Sequence, residues 1–119
     1  MPVIAVTVTQ VVPPPEQIKG RKLLRGAKEY TRRLKRYYPQ DKPNFVGLEG
    51  YINAIVLVEG LKRAGVRLTR EKFINAIETI TNYDLGIANK LSFSPEDHQG
   101  LDRVYFTKIQ GNRFILLNN

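Results

Sequence analysis

The order of hydrophobic patterns predicts an α/β chain with one strand ahead of three helices, followed by a short strand and a hairpin. Three observations carry this. The first dozen residues are rich in β-branched side chains and stop at Pro13-Pro14-Pro15. Three later stretches repeat their apolar residues at helical spacing, and the last segment alternates on either side of Gly111-Asn112. A parallel sheet needs strand and helix units in alternation, whereas here one strand precedes three helices. The pattern is that of the tail of an α/β domain.

Each element has its own reason. Val3, Ile4, Val6, Val8, Val11 and Val12 suggest a buried β-strand, ended by the three prolines. A helix is expected from about Glu16 to Tyr38, before Pro39, with Leu23, Ala27, Tyr30, Leu34 and Tyr37 on one face. Gly20 and Gly26 each weaken it by roughly 1 kcal/mol relative to alanine, so a break is expected near one of them. A second helix should begin near Leu48 and end at Gly65, with Lys62 and Arg63 in its last turn. Its stripe of Tyr51, Ala54, Ile55, Val58 and Leu61 is widened by Ile52, Val56 and Leu57, which calls for cover on more than one side. Thr69 is an N-cap for a third helix, with Phe73, Ile74, Ile77 and Ile80 as its apolar face and Asn82 as its stop. Leu91 to Phe93 reads as a short strand. Val104, Phe106 and Ile109 alternate with Tyr105, Thr107 and Lys108 as a longer one, which turns at Gly111-Asn112 into Arg113 to Leu117.

The 119 residues suit a single unit, residues 1–119, with 42% hydrophobic and 25% charged side chains. With no cysteine there are no disulfides, thiolate metal sites or cysteine nucleophiles. No apolar run approaches the roughly 18 residues of a membrane-spanning helix. The apolar start lacks a basic leader and a small-residue cleavage site, so no signal peptide is expected in this chain.

The net charge of +8 is concentrated in one place. Lys19, Arg21, Lys22, Arg25, Lys28, Arg32, Arg33, Lys35 and Arg36 are accompanied by a single acid, Glu29, and the rest of the chain balances. Such a segment could track phosphates as a small nucleic-acid-binding module spanning Lys19 to Arg36, or meet an anionic membrane. Tyr30 and Tyr37 fall on the apolar stripe, however, which favours a solvated basic face over a base-stacking platform.

Ser92 to Gly100, SFSPEDHQG, is the most enzyme-like stretch, because it places Glu96 and Asp97 directly before the only histidine, His98. Neighbouring residues of a turn project in different directions, and neither a second histidine nor a G-x-S-x-G serine is present. A turn shaped by Pro95 and Asp97 is the expectation, with His98 tying the loop to the hairpin. No catalytic residue, metal ligand or cofactor is assigned.

The segments TQVVPPP (Thr9 to Pro15), LEGYINAIVLVEGLKRAG (Leu48 to Gly65), LTREKFINAIE (Leu68 to Glu78) and SFSPEDHQGLDRVYFTKIQGNRFILL (Ser92 to Leu117) resemble the C-terminal part of a known family. That family is the Leu/Ile/Val-binding type of solute-binding protein, with the type 1 periplasmic binding fold, serving ABC importers of amino acids and amides. The resemblance implies two α/β lobes joined by three crossing strands and closing on a small ligand, without chemistry. It implies a partial lobe here, a branched-chain or related amino-acid or amide ligand, an ABC permease as partner and a periplasmic location.

The TQVVP strand would cross from the second lobe to the first. Such receptors are much longer, so the ligand site in this chain would be incomplete. The positions that carry over as ligand-binding are Leu48, Glu49 and Tyr51 of the LEGY segment; their alternative is a core role for Tyr51 and a helix-dipole role for Glu49. Open strand edges and the over-apolar helix imply a homo-oligomer, formed by self-association or strand exchange.

Overall fold

The computed structural model describes residues 6–16 and 20–117. The elements run β1 (Thr7–Gln10), α1 (Arg25–Tyr37), α2 (Phe45–Ala64), α3 (Arg70–Glu78), β2 (Tyr105–Gln110) and β3 (Arg113–Leu116). The strands form one antiparallel sheet in the order β1-β2-β3, with Val8 opposite Thr107 and Lys108 opposite Ile115. The helices form a second body beside it. The molecule extends 62 × 34 × 20 Å with a radius of gyration of 16.8 Å. A compact domain of this length would have a radius near about 13.5 Å.

β1 is shorter and more open than its valines suggest. Val6 and Val11 are exposed, and Val12, past the end of the strand, is the residue that enters the core. An edge strand hydrogen-bonded on one side has no reason to bury both of its faces. Val3 and Ile4 lie outside the described residues.

The first helix starts at Arg25, well after the expected Glu16, and the chain ahead of it turns at Gly20 with φ 81°. Ala27 and Tyr30 are buried as expected, but Tyr37, the last residue of the helix, is exposed at the rim of an open depression beside Gly47 and Tyr51. Gly26 lies inside the first turn, where its N–H donates to the Gly86 carbonyl at 2.9 Å. A side chain at this position would collide with the Leu85 carbonyl. Glycine here is the condition for the close approach of α1 to the 84–87 loop.

α2 begins three residues before Leu48 because Asn44 caps it, its Oδ1 accepting from the Gly47 N–H at 2.7 Å. Gly65, with φ 81°, ends it as expected. α3 is capped by Thr69, whose Oγ1 accepts from the Lys72 N–H at 3.1 Å, and it stops at Glu78, before the expected Asn82. α2 and α3 approach closely at Gly60, against Phe73 and Ile77.

The core joins Val12, Ala27, Tyr30, Leu48 and Ile52 to Ile80, Leu85, Ile87 and Leu91. Four of these nine residues come from the irregular 80–91 segment. The expected strand at Leu91 to Phe93 reduces to a single bridge, Tyr83 with Leu91, and the Phe93 N–H donates to the Ile80 carbonyl at 2.8 Å.

In β2 the residues with hydroxyls are the ones that turn inward. Tyr105 and Thr107 are buried, while Val104, Phe106 and Ile109 are exposed. Tyr105 Oη donates to the Ile87 carbonyl at 3.0 Å, and Thr107 Oγ1 donates to the Val8 carbonyl at 2.8 Å. A buried hydroxyl with its hydrogen bond made costs little, so the polar-edged residues can face inward. The hairpin turns at Gly111-Asn112 between the Gln110 and Arg113 pair, with φ 60° at Gly111.

Candidate functional site

The start of α2 is where the helical body meets the sheet. The Phe45 ring packs edge-on against Phe114 of β3 with centroids 5.2 Å apart. Three residues later, Leu48 is fully buried beneath the helix. Tyr51 is half-buried, and its ring lies 5.7 Å from that of Tyr30 on α1. Glu49 points to solvent beside the exposed Val46, Gly50 and Asn53.

At about 100° per helical residue, Glu49 and Tyr51 lie on nearly opposite sides of α2. The three LEGY positions therefore serve different surfaces. Leu48 anchors the helix, Tyr51 faces α1, and Glu49 stands on the open flank. Val46, 80% exposed, belongs to that same flank and was not singled out from the sequence. An apolar residue left bare at a capped helix start is the signal that could have found it.

Two open depressions adjoin each other between α1 and α2. One of about 530 Å³ is lined by Tyr30, Leu34, Tyr38, Asp41, Asn44 and Gly47. The other, of about 260 Å³, shares Tyr30, Leu34, Tyr38 and Gly47 and is bounded by Tyr51. Gly47 permits this shape, since a side chain there would strike the Tyr30 hydroxyl. A third hollow of about 130 Å³, lined by Pro14, Pro15, Pro43, Phe45 and Phe114, marks the junction with the sheet.

The SFSPEDHQG stretch contributes no such surface. Ser94 and Asp97 close the turn through paired backbone hydrogen bonds of 2.9 and 3.2 Å. Asp97 Oδ1 accepts from the Gln99 N–H at 2.9 Å, as the turn reading predicts. His98 does not reach the hairpin. Its Nε2 lies 2.8 Å from Glu78 Oε1 and ties the loop to the end of α3. No cluster of potential metal ligands occurs among the described residues, and none of their helices is long and apolar enough to cross a membrane.

Electrostatics are perturbed beside α1. The Gly86 N–H bonds to Asp84 and, with the Arg25 guanidinium 3.0 Å away, holds its carboxyl below the ordinary value of 3.8. Burial pushes the Tyr105 hydroxyl above its ordinary value. Both groups fasten the 84–87 loop to its neighbours.

Comparison with known proteins gives one family. Residues 8–113 match the periplasmic binding protein family. A possible leucine/isoleucine/valine-binding protein from Rhodopirellula baltica SH 1 superposes with a TM-score of 0.83 at 28% identity, over 95% of this chain and 29% of that one. A fatty acid ABC transporter substrate-binding protein from Thermomonospora curvata superposes with a TM-score of 0.74 at 22% identity, over 93% of this chain and 28% of that one, a likeness of fold. No curated protein sequence matches significantly. This chain thus spans under a third of the length of the structures it resembles, and its three helices and antiparallel sheet correspond to part of a lobe. With the match running from β1 to β3, the chain belongs to the periplasmic binding proteins, a family of extracytoplasmic solute-binding components of ABC transport.

Proposed function

We propose that the chain is the C-terminal part of the ligand-binding receptor of an ABC importer for branched-chain or related amino acids or amides, with an incomplete ligand site. The observation that supports this is the likeness to the Rhodopirellula baltica protein, continuous over 95% of the chain. The receptor performs no chemistry, works in the periplasm and hands its ligand to an ABC permease. Within it, the start of α2 faces the cleft: Glu49 contacts the ligand directly, while the buried Leu48 and the Tyr51 to Tyr30 contact fix the helix at the required position. The fatty acid receptor shares the fold with a different ligand in its name, so the ligand is selected by side chains and not by the backbone.

A chimera tests this reading, with residues 8–113 replacing the equivalent segment of the Rhodopirellula baltica protein. Calorimetric titration should show saturable binding of leucine, isoleucine or valine, weakened by Glu49→Ala. A folded chimera that binds none of the three overturns the ligand class.

The chain alone forms a homo-oligomer, by strand exchange or edge pairing. Both β1 and β3 are sheet edges, and Phe106, Ile109, Leu57 and Val58 are all exposed. Light scattering coupled to size exclusion should give a mass above the monomer's at high concentration, and a monomer there refutes it.

A further inference from the structure

α1 carries a cationic strip that the receptor reading leaves unused. At about 100° per residue, Arg25, Lys28, Arg32, Lys35 and Arg36 fall within roughly one third of the helix circumference, opposite the buried Ala27 and Tyr30. All five are exposed, and Glu29, the one acid of α1, stands at the border of their arc, about 20° beyond Arg36. Arg25 is held by Asp84 at 3.0 Å and more loosely by Glu29 at 3.8 Å. Lys28, Arg32, Lys35 and Arg36 have no ion pair among the described residues. The Arg36 guanidinium only packs on the Tyr37 ring, 5.4 Å from its centroid.

Unpaired cations are not taken into a dry interface without large cost, so this face stays wet whatever covers the rest of the lobe. At 1.5 Å per residue the strip is straight and about 16 Å long. The exposed Tyr37 and Tyr38 that follow it belong to the other side of the helix, where they border the depression shared with Gly47 and Tyr51 of α2. Base stacking is not served, because Tyr30 is buried against Tyr51 and no exposed ring is interleaved among the cations. An extracytoplasmic family meets phospholipid, and a row of unpaired cations along one face of a helix is complementary in charge to a planar anionic surface.

We infer that the Arg25 to Arg36 face of α1 docks the protein on anionic phospholipid headgroups. This contact is independent of the ligand cleft, since the strip faces away from α2. Co-sedimentation of the chain tests it, with vesicles of phosphatidylcholine and phosphatidylglycerol in equal parts against vesicles of phosphatidylcholine alone. Binding should occur only to the anionic vesicles and should weaken as salt shortens the Debye length.

Neutralising three cations as Lys28→Gln, Arg32→Gln and Lys35→Gln should weaken it by about a hundredfold, or about fivefold per cation. The variant carrying Arg67→Gln, Arg70→Gln and Lys72→Gln, which removes the same charge near the start of α3, should bind nearly as the parent does. Circular dichroism of both variants establishes that helix content is retained. The inference falls if the parent ignores anionic vesicles at low salt. It falls equally if the α3 variant loses as much as the α1 variant, or if a DNA oligonucleotide displaces the vesicles at lower concentration than the lipid itself.

Discussion

Gly26→Ala sets helix propensity against tertiary packing. Propensity alone gives a gain of about 1 kcal/mol for replacing glycine inside a helix. The structure opposes it. A Cβ at Gly26 would strike the Leu85 carbonyl and lie 3.1 Å from the Gly86 carbonyl, and both are backbone atoms with no rotamer to change. Relief requires α1 and the 84–87 loop to separate, at the overpacking cost of about 1–3 kcal/mol. Separation also stretches the 2.9 Å bond from the Gly26 N–H to the Gly86 carbonyl, with a loss of about 1 kcal/mol.

The balance is a destabilisation of about 1–3 kcal/mol, or roughly 4 °C in Tm for each kcal/mol. Gly50→Ala is the matched control, since a Cβ there meets nothing within 4 Å. It should raise Tm by up to about 4 °C. Thermal unfolding followed by circular dichroism reads both. If Gly26→Ala is stabilised as much as Gly50→Ala, the close approach of α1 to the loop is not as described and the reasoning fails.

Leu48→Ala, at a fully buried position, should cost about 2–5 kcal/mol by urea denaturation, whereas Glu49→Ala should change stability by less than about 0.5 kcal/mol. Tyr105→Phe leaves the Ile87 carbonyl without its partner and should cost about 1–2 kcal/mol. Because burial raises the Tyr105 hydroxyl, the parent should also lose stability above pH about 10, where the unfolded tyrosine ionises first, and the variant should lose less of it. Asp84 has the opposite sign: its carboxyl is depressed chiefly by the Gly86 N–H, so its contribution is present above the ordinary carboxylate range and is lost as pH falls below it. Asp84→Asn should flatten the acid limb of a stability–pH profile, and an unchanged limb removes Asp84 from the account.

The sequence by itself determined whatever depends on neighbours within a few residues. Asn44 and Thr69 cap their helices, Gly65 ends α2, Gly111-Asn112 turns the hairpin and Ser94 to Asp97 closes a turn. Of these, Asn44 alone was not anticipated, although its side chain is the reason α2 starts before Leu48. Family membership was legible as well, because the order of the motif segments survives in sequence even where the pattern within each element misleads.

Tertiary structure decided which faces are buried. Periodicity says that residues share a side, but not what lies opposite. In β2 Tyr105 and Thr107 face inward, where Ile87 and Val8 offer carbonyls to their hydroxyls, while the apolar Phe106 is left exposed. Leu85 and Ile87 carry no periodic signal in their irregular loop, and they enter the core only because Gly26 lets that loop touch α1. The LEGY motif falls near the start of α2. The division of its residues, with Leu48 inside, Tyr51 toward α1 and Glu49 outside, was set by the packing of α1 and β3 against α2, through contacts between residues far apart in the chain.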